Sequence, residues 1–157
     1  MKKLILITSI IILTGIILYG MYNFFIKRTP EKILNQAFAI SLKNFDYSID
    51  FFKEQWYPNG DGELLAVFKF KKLTPQNIDY IKAFNPRPLP IIDTEYYQMG
   101  PNKIPKPFIN SDTGYYFYRT GRIADWEINE GIKQALDFYI FIIDTEKGMA
   151  VLYYQFI

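Results

Sequence analysis

Residues 4–26 read LILITSIIILTGIILYGMYNFFI, and no charged side chain interrupts them. At 1.5 Å rise per residue a helix of this length reaches roughly 34 Å, enough for a hydrocarbon layer of about 30 Å. Tyr19, Tyr22, Phe24 and Phe25 gather toward its far end, where amphipathic rings favour the membrane interface. Lys2 and Lys3 precede the run, and Lys27 and Arg28 close it. A secretory signal peptide starts the same way, but its apolar core is usually about 7–15 residues long and ends at a small-residue cleavage site. Here the run is longer and no Ala-x-Ala site follows. The pattern predicts an uncleaved anchor. Residues 1–28 form a cytoplasmic tip and one transmembrane segment, and residues 29–157 form an extracytoplasmic domain at the cell membrane. The cations of the short N-terminal tail set that orientation.

The rest of the chain is constrained mostly by what it lacks. The net charge is +2, but four of the 18 cations fall within the first 28 residues, where there is no acid, so the domain itself is slightly acidic. That argues against nucleic acid, which selects a concentrated basic face. There is no cysteine, hence no disulfide, thiol nucleophile or cysteine-linked lipid. There is no histidine, which removes the commonest general base and metal ligand. No phosphate-binding glycine loop or dinucleotide fingerprint is present, and no cofactor is expected.

Along the domain, Thr29-Pro30-Glu31 has the form of a helix start, with a capping hydroxyl, a proline in the first turn and an acid near the positive end of the dipole. Ile33, Leu34, Ala37, Phe38, Ser41 and Leu42 then share one helical side, with Asn44 as a stop. Phe45, Tyr47, Ile49 and Phe51 alternate with Asp46, Ser48 and Asp50, which predicts a strand with one apolar face. Residues 62–72 predict a second strand, with Leu64, Ala66, Phe68 and Phe70 on one side and Leu65, Val67, Lys69 and Lys71 on the other. Between the two lies Tyr57-Pro58-Asn59-Gly60-Asp61-Gly62-Glu63. A calcium loop would need an acid at its first position and a bidentate Glu at its twelfth. Tyr57 and Phe68 stand there instead. Asn-Gly and Asp-Gly are the residues of a tight hairpin turn.

Thr74 and Pro75 repeat the helix-start signal. Residues 85–110 then hold six of the nine prolines, which predicts a long irregular loop in which residues 89–92 form a short edge strand. Residues 114–128 predict a strand, a Thr120-Gly121 turn and a second short strand. Residues 135–144 and 149–157 predict a hairpin with Gly148 at positive φ. The order predicts an α+β fold: a transmembrane helix, then a small domain with an antiparallel meandering sheet and one or two helices packed on one face. A cystatin-like sheet curved around the first helix is one topology that fits this order.

Candidate chemistry is sparse. Ser41, Ser48 and Ser111 are the only serines beyond the anchor, and none sits in a nucleophile elbow. Asp46 and Asp50 share a strand face, and Asp125, Glu127 and Glu130 cluster. Either set could supply an acid pair or a weak cation site, or could form a solvated face. The segment 85–90 resembles a polyproline ligand, though a rigid crossing segment explains it as well. Tyrosine gives large contact area with few rotors, and Tyr and Arg dominate many interfaces. In each adjacent pair, Tyr96-Tyr97, Tyr115-Tyr116 and Tyr153-Tyr154, alternation sends one ring to the core and one outward. The expected partner surface is therefore residues 85–119, with Arg87, Tyr96, Tyr97, Tyr116, Tyr118 and Arg119 as contacts. The leading expectation is a membrane-anchored, non-enzymatic protein-binding domain, such as an envelope assembly partner or an immunity-type inhibitor. The alternatives are a small acid-pair hydrolase and a structural subunit of a membrane complex.

Overall fold

The computed structural model describes residues 2–21, 29–56, 58, 61–91, 103–120 and 137–156. Helix α1 is Lys2–Met21, and its apolar side chains from Ile10 to Tyr19 are exposed on all sides rather than gathered in a stripe. Among the described residues no helix is long and apolar enough to cross a membrane. Part of the apolar run, residues 22–26, lies outside them.

The domain is α+β, and its described residues form a six-stranded antiparallel sheet and short helices. Helix α2, Pro30–Phe38, begins where its sequence signal stands: the Thr29 hydroxyl accepts a hydrogen bond from the Lys32 N–H. It stops earlier than its periodicity implies. Ala39 turns left-handed at φ 59°, and the chain leaves the helix so that Ile40 and Leu42 can be buried. Burial outweighs the strain of one non-glycine residue in that region. Helix α3, Pro75–Lys82, opens with a capping box between Thr74 and Asn77.

The strands are β1 Tyr47–Trp56, β2 Gly62–Phe70, β3 Arg87–Pro88, β4 Gly114–Thr120, β5 Asp137–Asp144 and β6 Met149–Phe156. Their order is β1-β2-β6-β5-β4-β3. The β1–β2 hairpin and the β4–β5–β6 run are meanders, but β6 inserts between β2 and β5, so the sheet is not one continuous meander. The edge strand lies at residues 87–88 rather than 89–92. Trp56 pairs with Gly62 at the end of the β1–β2 ladder, and Tyr57, Asn59 and Gly60 of the expected turn lie outside the described residues. Gly148 has φ 63°, as its turn position requires. The expected strand after Thr120, and Asp125, Glu127 and Glu130, fall outside the described residues.

Both faces of the sheet are covered. Against one face, α2, α3 and the segment between α2 and β1 supply Ile33, Leu34, Ile40, Leu42, Phe45 and Ile81, which meet Leu64, Phe68, Phe141 and Leu152. Tyr47 donates from its hydroxyl to Glu31 at 2.9 Å, joining β1 to α2. Burial and that acceptor push the Tyr47 phenol up to about 12. Against the other face, Leu89, Ile91, Ile104 and Phe108 meet Val67, Ile140, Ile142 and Val151. Phe108 belongs to a one-turn helix, α4, Lys106–Ile109, inside the proline-rich stretch. The helices therefore do not all lie on one face, because the proline-rich segment brings its own turn to the second.

Candidate functional site

Of the six residues expected to form a partner surface, four lie among the described residues, and their surroundings differ. Tyr116 is 1 % exposed and belongs to the second core cluster. Tyr118 is half-buried, its ring 6.4 Å from that of Phe138. Arg119 sends Nη1 to the Ala37 carbonyl at 2.8 Å, a cation at the C-terminal end of α2 that joins β4 to that helix. Arg87 is exposed on β3, opposite Tyr116. Tyr96 and Tyr97 lie outside the described residues. The alternation rule assigned Tyr116 or its neighbour to solvent on the premise that one face was bare. Tyr153 and Tyr154 show the same correction, since both are buried.

The acid pair also separates. Asp46 bonds Lys71 at 2.9 Å on an exposed turn, while Asp50 borders a cleft. The pairing register shows why the two have different surroundings. It shifts between Ile49 and Phe51, so Ile49 pairs with Phe68 and Phe51 with Val67. This bulge at Asp50 turns the strand by one residue. Phe51 leaves the face it would share with Ile49 and joins Leu65 and Val67 on the other, while Phe52 takes the face of Ala66.

That switch brings Phe51 into a concavity. Phe51, Leu65, Val67, Pro105, Phe108 and Met149 line a cleft of about 450 Å³, together with Asp50, Pro107 and Lys147. Its volume is in the range of small-ligand and side-chain pockets, about 300–1,000 Å³. The lining is almost wholly apolar, so what it can do is take up an apolar group. Phe51 and Phe52 are 48 % and 45 % exposed, and Ile49 is 39 % exposed. A smaller hollow of about 210 Å³, of mixed lining, lies among Ser41, Asn44, Phe45, Gln76, Asn77 and Tyr80.

Two charged clusters brace the cleft. Asp144 is fully buried; its carboxylate accepts from the Ser111 hydroxyl at 2.6 Å, Lys147 Nζ at 2.8 Å and the backbone N–H groups of Glu146 and Lys147 at 3.1 and 2.8 Å. Burial alone would raise its pKa, but the backbone and side-chain donors of Lys147 and the Ser111 hydroxyl outweigh it, and the carboxyl sits below its usual range. Lys147 also reaches the Pro107 carbonyl at 3.3 Å, holding α4 against the β5–β6 turn. Ser111 is thus a buried donor to a carboxylate and not a nucleophile facing a cleft. Further along β2, Glu63 bonds Lys103 and lies 3.6 Å from Lys53, with the Tyr153 hydroxyl at 3.4 Å. Burial pushes Glu63 up and these partners more than compensate, leaving it below its usual range.

Comparison with protein-family models, curated proteins and solved structures finds no match.

The sequence analysis missed Phe51, Phe108 and Met149 as site residues. One signal was available: Phe51 and Phe52 are adjacent, and adjacent residues of a strand cannot both enter one core.

Proposed function

We propose that the protein is a membrane-tethered, non-enzymatic protein-binding domain held on the extracytoplasmic side of a cell membrane, of the envelope-assembly or inhibitor kind. The tether rests on the uncharged run 4–26 and on the apolar side chains that α1 exposes on every side. The working surface is the β1 edge and its cleft, in place of the tyrosines of residues 85–119. The observation that carries it is the exposure of Phe51 and Phe52 beside an apolar cleft. Burying half-exposed aromatic rings releases roughly 25 cal/mol per Å² of apolar area, and such rings are frequent interface anchors. The test compares full-length protein with Phe51→Asp and Phe52→Asp, each cross-linked in intact cells and purified from membranes. The expected result is one specific co-purifying protein, lost from both variants while they remain folded and membrane-bound. Retention of the same partner by both variants, or a chain extracted from membranes by carbonate, overturns the reading.

A further inference from the structure

The outer edge of β1 is the least protected part of the sheet. Among the described residues β1, ten residues long, pairs only with β2, and the backbone N–H and C=O groups that alternate along its outer side meet no other strand among them. Sheet edges are normally shortened, charged or interrupted by proline to prevent pairing with other chains. The opposite edge follows that rule, with two residues, one of them Pro88. On β1 the central cation, Lys53, is drawn toward Glu63 at 3.6 Å, and Ile49, Phe51 and Phe52 are exposed.

We propose that β1 receives an extended segment of another protein as an additional strand, with one apolar side chain in the cleft beside Phe51 and a Lys or Arg facing Asp50. This rests on the protein-binding reading above. A strand is the occupant because only a strand answers a row of alternating backbone donors and acceptors while covering side chains on both faces. The cation follows from Asp50, an exposed acid that lines the cleft and has no ion-pair or hydrogen-bond partner among the described residues. A second copy of this chain fits worse. Symmetric pairing of β1 about Phe52 sets Asp50 against Glu54, and pairing about Phe51 sets Asp50 against Phe52. Neither sets Lys53, the cation of β1 and already drawn toward Glu63, directly opposite Asp50.

The test places a photoreactive amino acid at each of residues 48–55 in turn, in full-length protein in intact cells, and maps every cross-link by peptide sequencing. A thermal melt of each variant identifies those that fold; Ile49, Phe51 and Phe52 are exposed enough to tolerate the change. The expected result is one contiguous segment of one other protein, its cross-linked residue moving steadily along that segment as the probe moves along β1. Asp50→Lys should lower the yield by about tenfold and Asp50→Asn by less, as loss of an opposite charge at an interface predicts. Cross-links at helical spacing, or to scattered sites on the partner, overturn strand addition and leave the binding reading standing. Cross-links only between copies of this chain overturn the foreign partner. If β1 captures nothing while probes at Arg87, Tyr118 or Arg119 capture a protein, the assignment of the working surface fails with it; if nothing is captured anywhere, both proposals fail.

Discussion

At one edge of the sheet the last strand is two residues long and one of them is a proline; at the other it is ten residues long and carries none. The short edge is sealed from behind. Leu89 and Ile91 continue from β3 straight into the core, and the Leu89 N–H bonds the Gly114 carbonyl at 3.1 Å. Among the described residues the long edge has no strand beyond it, and aromatic rings stand exposed on both of its faces. One side of the molecule spends its apolar residues on holding itself together, and the other leaves them available. The difference shows that aromatic abundance is no guide to a binding surface; the position of each ring relative to a closed or open edge is.

This contrast can be broken by substitution, and the largest effects belong on the sealed side. Tyr116→Ala should lower stability by about 4 kcal/mol, as truncation of a buried aromatic does, read from urea unfolding. Were Tyr116 a surface contact, the midpoint would barely move. Gly114→Ala should cost about 3 kcal/mol. Gly114 has φ 126°, and an added Cβ would lie 2.0 Å from the Ile143 carbonyl oxygen, a backbone atom that cannot step aside. A variant with wild-type stability would show that the β4–β5 register is drawn wrongly.

Asp144→Asn should cost about 2 kcal/mol, because an amide cannot accept from all the donors that surround the carboxylate. The pH dependence sharpens this. Asp144 is held below its ordinary value of 3.8, so its stabilisation is complete above that value and is lost as pH falls through the lower folded one. Glu63, held below 4.5, acts in the same sense. The wild type should therefore lose stability on acidification through and below the ordinary carboxylate range, and Asp144→Asn should have a shallower acid limb. An unchanged limb would show that the carboxylate is not engaged in solution. Smallest of all, Phe51→Ser and Phe52→Ser should each change stability by about 1 kcal/mol or less, a shift of some 2–5 °C in Tm. A loss near that of Tyr116→Ala would mean that β1 is core and its edge is not available.

Much of the local structure was legible in the chain. Thr29 and Thr74 mark α2 and α3 because a cap is a local bargain between one hydroxyl and orphan N–H groups a turn away. Gly148 announces its turn for an equally local reason. The misreadings are all long-range. The end of α2 is decided by where Ile40 and Leu42 find the sheet. The burial of Tyr116 is decided by a proline-rich stretch that reads as a loop and serves as a lid over the second face. The cleft needs residues from β1, β2, α4 and β6, and its key ring points the right way only because of a bulge that has no glycine to announce it.

The place of β6 has a further consequence, for how the chain is made. The last of the six strands in chain order lies in the middle of the sheet. Until Met149–Phe156 leaves the ribosome, the β1–β2 hairpin and the β4–β5 pair have no strand between them. The inner sides of β2 and β5 then stand open with Phe68, Ile140 and Phe141 uncovered. The domain cannot complete its fold as it emerges; it waits for its final strand, and through that interval it depends on whatever keeps nascent apolar strands apart.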